Sequence, residues 1–122
     1  MNLAKTHKDL LVWKKGITLV KTIYQITAGF PRREDFCITN QLRRAAISIP
    51  SNLAEGAARN STKEFGQFIH IALGSVSEID TQILICKELG YITDESYLLV
   101  LDELDEISKM LTGLLKALQS KS

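Results

Sequence analysis

The stretch Arg43–Gly56, RRAAISIPSNLAEG, sets a proline inside a segment that otherwise has the spacing of a helix. At about 100° per residue, Leu42, Ala46, Ile49, Leu53 and Ala57 fall on one stripe. Arg44, Ser48, Ser51, Asn52, Glu55 and Arg59 fall on a second stripe, more than about 100° away. The first is the expected core face. The second carries short directional polar groups, one acid and two arginines. Pro50 removes one backbone donor and presses on the carbonyl of Ala46. One reading is a continuous helix over 39–59, opened by Thr39 as N-cap and kinked at Pro50. The hydroxyls of Ser48 and Ser51 would then pair with the freed backbone groups. The other reading splits the segment near Ile49, with Pro50 opening a new turn. The continuous kinked helix is preferred.

The neighbouring segments extend the pattern. Over 8–28, Leu10, Trp13, Ile17, Val20 and Tyr24 recur at alternating spacings of three and four, the mark of an amphipathic helix. Gly29 and Phe30-Pro31 end it. Ser61-Thr62-Lys63-Glu64 is a capping-box signature that opens a third helix running to Glu88. Phe65, Phe68, Ala72, Val76, Ile79, Ile83 and Cys86 form its apolar stripe, and Gly90 is the expected C-terminal glycine. Thr93 caps a fourth helix, with Asp94 and Glu95 in the first turn where the helix dipole favours acids. Val100, Leu104, Ile107, Leu111, Leu114 and Leu118 then hold a heptad seam. No segment alternates with period two for long. The fold class is therefore all-α: residues 1–122 as a single antiparallel up-down-up-down four-helix bundle.

The third helix contains Gly74-Ser75, followed by Glu78. A glycine in mid-helix costs about 1 kcal/mol relative to alanine, which a close helix–helix approach would justify. Ser75 and Glu78 lie one turn apart and are placed to answer Arg44 or Arg59. Arg44, Ser48, Ser51, Asn52, Glu55, Arg59, Ser75 and Glu78 thus define an oligomer interface or a buried polar network. Arg43 lies beside the polar stripe, and is read as exposed where Arg44 is buried.

The bulk numbers suit this fold. The chain has 122 residues, 45% of them hydrophobic and 24% charged. This is the composition of an ordinary globular domain and not of a disordered chain. Cys37 and Cys86 match no metal-ligand or redox spacing and read as free buried thiols in a reducing cytoplasm. The N-terminus lacks the uninterrupted apolar run of a signal peptide, and no apolar stretch approaches 18 residues, so no membrane is expected. Net charge is +1, but residues 1–60 carry ten Lys/Arg against four Asp/Glu, and residues 61–122 carry five against ten. Three readings fit such a division: a polyanion-binding face, two surfaces that attract each other between subunits, or chance unevenness of surface charge.

Five stretches carry a family resemblance: DLLVWKKGITLVKTIYQIT (9–27), FPRREDF (30–36), TNQLRRAAISIPSNLAEGAAR (39–59), STKEFGQFIHIALGSVSEIDTQI (61–83) and ELGYIT (88–93). Together, from about residue 9 to residue 118, they resemble the 23S ribosomal RNA intervening-sequence proteins. That family includes the accessory variability determinant of diversity-generating retroelements. The resemblance implies a four-helix bundle assembled as a ring-like homopentamer. For the retroelement members it also implies partnership with a reverse transcriptase and its template RNA. Gly16 stands where alanine is more usual, and the net charge of +1 departs from strongly basic retroelement accessories.

Two function classes follow, and catalysis is not one of them. His7 and His70 are the only histidines, and no phosphate loop, HExxH motif, Glu-x-x-His metal motif or nucleophile–base set accompanies them. No cofactor and no metal are expected. The leading reading is a cytoplasmic RNA- or DNA-associated oligomer with Lys14, Lys15, Lys21, Arg32, Arg33 and Arg43 on phosphates. The runner-up is a structural or partner-binding oligomer without nucleic-acid affinity.

Overall fold

The structure, a computed structural model, describes His7 and residues 10–120. Four helices make up almost all of it: α1 (Leu11–Thr27), α2 (Ile38–Ala57), α3 (Thr62–Glu88) and α4 (Asp94–Gln119). A single 3-10 turn, Arg32–Glu34, lies between α1 and α2, and no strand occurs among the described residues. Lys8 and Asp9, assigned to the first helix from sequence, lie outside those residues.

Local chemistry sets most of the helix ends. Ser61 Oγ accepts from the Glu64 amide at 3.1 Å and donates to the Glu64 carboxylate, which fastens the first turn of α3. Thr93 Oγ1 accepts from the Ser96 amide at 3.1 Å at the start of α4. At the end of α3, Gly90 takes φ +78°. This lets the Tyr91 amide reach the Cys86 carbonyl and the Gly90 amide reach the Lys87 carbonyl, a Schellman termination. The start of α2 differs from expectation. The helix begins at Ile38, no side chain caps it, and Thr39 is buried with its hydroxyl unpartnered. The cause is the preceding 3-10 turn. Its bonds from Cys37 N to Glu34 O and from Gln41 N to Cys37 O carry the chain into the helix in hydrogen-bonded turns.

Helix α2 runs through Pro50 without a break, so the split reading is set aside. Ser48 and Ser51 do not compensate the proline as expected: Ser48 is engaged with α3, and Ser51 is exposed. Pro50 instead packs against α1. A Cβ at Gly16 would lie 3.3 Å from Pro50 Cδ. A glycine of α1 therefore faces the proline within α2.

The core is one continuous cluster fed by all four helices. Leu42, Ala46, Ile49 and Leu53 of α2 are buried, as are Val100, Leu104, Ile107 and Leu111 of α4 and Ala72, Val76, Ile79, Ile83 and Cys86 of α3. Helix α1 requires a correction. Its buried face is Val12, Gly16, Leu19 and Ile23, one residue out of phase with the expected stripe. Trp13, Ile17 and Val20 are only half-buried and Tyr24 is exposed. A glycine inside the true core stripe hid that stripe from a hydrophobic count. Helix α3 is long and apolar enough by composition alone to cross a bilayer, but its apolar face is the one turned into this core.

Each helix packs on two others, α1 on α2 and α4, and α3 on α2 and α4; the backbones of the diagonal pairs do not approach each other closely. Along neighbouring helices the partners run in opposite order. Gly16 meets Pro50 while Tyr24 meets Arg43, and Ser48 meets Ser75 while Gly56 meets Phe68. The crossing at Gly56 is tight: a Cβ there would fall 2.7 Å from Phe68 Cβ. Gly74, expected to permit such a crossing, has nothing within 4 Å.

Candidate functional site

Three arrangements emerge from the candidate residues. The first is a polar seam between α2 and α3. Asn52 Nδ2 donates to the Ser48 carbonyl at 2.8 Å and to Ser48 Oγ at 3.0 Å. Ser48 and Ser75 hydroxyls lie 2.7 Å apart, and Ser75 Oγ donates to the Ile71 carbonyl at 3.4 Å. One consistent direction runs Asn52 to Ser48 to Ser75 to Ile71, satisfying each buried hydroxyl in turn. The other expected members stand apart. Glu55 and Arg59 form an exposed ion pair at 2.9 Å within α2, with Arg59 also over the Phe68 ring. Glu78 accepts from Gln82 of its own helix and meets neither arginine. Arg44 and Ser51 point outward.

The two adjacent arginines exchange their expected places. Arg43 is half-buried. Its guanidinium lies 4.4 Å from the Tyr24 ring centre, and Nε donates to Thr27 Oγ1 at 2.9 Å. Arg44 is exposed, with no side-chain partner among the described residues. Arg43 sits on the side of α2 turned toward α1, where an aromatic face and a hydroxyl receive it.

The second arrangement is the set of cations. Lys14, Lys21, Arg32 and Arg33 are exposed. Lys15 is taken by Glu106 at 2.6 Å. Arg32 and Arg33 stand on the 3-10 turn, which is pinned to the bundle end. Phe30 is buried and packs on Tyr91 with ring centres 5.4 Å apart, and the Tyr91 hydroxyl donates to Glu34 at 2.7 Å. Beyond them Phe36 is 94% exposed. Beside Lys15, Glu103 accepts from Thr22 at 3.0 and 3.2 Å. Burial raises its carboxyl above the ordinary range against the opposing pull of that hydrogen bond and of Lys15.

The third arrangement was not read from sequence. A groove of about 290 Å³ runs between α1 and α2, lined by Trp13, Ile17, Val20, Ile47, Pro50 and Ala54 among others. The misassigned stripe of α1 forms one wall. Ile47, a large apolar residue lying opposite the core stripe of α2, was the available signal. No acid occurs in α1, and Glu55 is the one acid in α2.

The remaining candidates form no catalytic set. His70 is exposed on α3. Cys86 is buried with its thiol pushed up to about 11 by desolvation, then by Glu34. Cys37 is exposed, contrary to the reading of both thiols as buried. No group of three or more His, Cys, Asp or Glu among the described residues is arranged to hold a metal ion.

A bundle of four helices closed around one core, with a polar seam on one side and an apolar groove on another, defines the class. The chain belongs to the family described as 23S rRNA-intervening sequence protein, which it matches over residues 8–113. Its fold is also similar to a solved protein of unknown function from the S23 ribosomal protein family of Bacteroides thetaiotaomicron VPI-5482. The two share 25% identity with a TM-score of 0.79, over 89% of this chain and 98% of that one. No functionally curated protein matches the chain.

Proposed function

We propose that this protein is a non-catalytic, homo-oligomeric accessory factor of the cytoplasm that associates with RNA. The observation that carries the oligomer is the apolar surface left outside a complete core. Trp13, Ile17 and Val20 line an open groove beside Ile47, which is 40% exposed, and Tyr24 nearby is 41% exposed. Contiguous apolar surface of this kind on a well-packed small domain marks a protein contact. The family resemblance favours five copies. The exposed thiol of Cys37 suits a reducing compartment.

The RNA association rests on a separate observation, cations that no acid of the same chain neutralises. Lys14, Arg32 and Arg33 are exposed and form no ion pair among the described residues. Repetition around a ring would multiply these phosphate contacts. Lys15 and Arg43 are less available, being held by Glu106 and by Tyr24 with Thr27. Filter binding of single-stranded RNA tests the reading. Wild type is expected to bind at about 50 mM salt and to weaken steeply toward about 200 mM. Lys14→Glu/Arg32→Glu/Arg33→Glu is expected to lose that binding while keeping its oligomeric mass. Equal binding by the variant, or none by wild type, contradicts the RNA association and leaves the oligomer to stand as a partner-binding or structural assembly.

A further inference from the structure

The four helices touch in a closed order, so the α1/α2 seam and the α3/α4 seam lie on opposite sides of the bundle. Both seams are grooved, and they differ in charge. The α1/α2 groove has an apolar floor of Trp13, Ile17, Val20 and Ile47. Lys21 and Arg44 extend from its two helices into solvent without an ion pair among the described residues. The α3/α4 seam carries a groove of about 340 Å³ that includes Asp80 and Asp105 in its lining. Leu84, 46% exposed, and Leu98, 61% exposed, stand on the outer surfaces of the same two helices. Asp80 holds no ion pair among the described residues, and Asp105, also exposed, pairs with Lys109 of its own helix at 3.0 Å; Asp102 instead lines the α1/α4 cavity with Lys15. The two opposite seams thus each combine exposed charge with exposed apolar side chains, basic on α1/α2 and acidic on α3/α4.

The geometry points to a head-to-tail contact in which the α1/α2 groove of one copy receives the α3/α4 face of a second copy. Leu84 and Leu98 of the entering face cover the floor around Trp13 and Ile47, and Asp80 and Asp105 meet Lys21 and Arg44. This pairing rests on the homo-oligomer proposed above and says which surfaces make it. Two different patches on opposite sides cannot form a closed two-fold dimer through this contact. They propagate, and the chain of contacts ends when a ring closes. Opposite charge aligns the faces, and like charge disfavours basic on basic or acidic on acidic pairing. Lys14, Arg32 and Arg33 are not required by the contact and stay available to RNA.

Charge exchange tests this directly, read by light scattering on a sizing column at low salt. Lys21→Glu/Arg44→Glu and Asp80→Lys/Asp105→Lys are each expected to lose the wild-type oligomer. The chain carrying all four changes is expected to regain it. Trp13 is the sole tryptophan, so its emission is expected to shift to longer wavelength in each variant and to return in the fourfold chain. Recovery by the fourfold variant shows that loss of assembly was not loss of folding. Wild-type mass in both variants overturns the pairing while leaving the homo-oligomer in place; so does loss in both without recovery in the fourfold chain. A monomeric wild type removes the homo-oligomer itself, and this pairing with it.

Discussion

Gly16 and Pro50 meet across α1 and α2: a Cβ on residue 16 would sit 3.3 Å from the proline Cδ. A proline in mid-helix normally leaves an awkward ring and an unpaired carbonyl. Here the ring is buried against a neighbour with no side chain, so it becomes part of the α1/α2 packing. The pair accounts for a feature of each helix that looks unfavourable alone. Gly16→Leu is expected to force the helices apart and cost about 1–3 kcal/mol, the range for overpacked sites. Chemical denaturation checks this.

The other helical glycines separate by their surroundings. Gly56→Ala places a methyl 2.7 Å from Phe68 Cβ and 2.9 Å from Phe65 Cδ1. It is expected to destabilise by about 1–3 kcal/mol despite better helix propensity. Gly74→Ala meets open space and is expected to stabilise by about 0.5–1 kcal/mol. Thermal melts of the two variants should move in opposite directions.

The Ser48–Ser75 bond at 2.7 Å is the centre of the α2/α3 seam. Ser75→Ala leaves the Ser48 and Asn52 chain without its acceptor on α3 and is expected to cost about 1–2 kcal/mol. Ser48→Ala should cost a similar amount, and the double variant less than the sum. A double-mutant cycle showing full additivity would contradict the coupled chain.

Much of this was legible in the sequence, for identifiable reasons. Ser61 and Thr93 announced their helices because a hydroxyl cap needs only local geometry. The core stripes of α2 and α4 followed from spacing, since each has one strong apolar face. Helix α1 has two, and Gly16 concealed the buried one, so Trp13, Ile17 and Val20 were assigned to the core and not to a groove. Thr39 looked like a cap because its residue type suits one, but the 3-10 turn before it supplies the entry. Arg43 and Arg44 exchanged roles because neither Tyr24 nor Thr27 is near them in sequence. Contacts between distant segments decide such placements, and spacing alone does not carry them.

The two thiols should differ sharply. Cys37 is exposed, and Cys86 is buried with its thiol raised to about 11. The native protein is expected to react with one equivalent of a thiol reagent at neutral pH, and the denatured protein with two. Two rapid equivalents from the native protein would contradict the buried site.

Glu103 is raised above its ordinary range mainly by desolvation. The folded state therefore holds this proton more tightly than the unfolded state does. Its contribution to stability falls as pH rises from the ordinary glutamate range through the raised folded value, and stays low above it. Glu103→Gln keeps an acceptor for Thr22 without the charge. The variant is expected to gain stability over wild type at neutral pH, with the gain shrinking toward pH ~4. A gain that grows as pH falls would contradict the sign. Lys15, 2.6 Å from Glu106, should be retained in the comparison because it also acts on Glu103.

The central claim is that this bundle works as an assembly of identical copies and not as a lone domain. Native mass spectrometry of the full chain, sprayed from a volatile low-salt buffer, measures this most directly. One dominant closed species at five times the 13.6 kDa chain mass is expected, with little free chain at micromolar concentration. A dominant 13.6 kDa species under those conditions contradicts it.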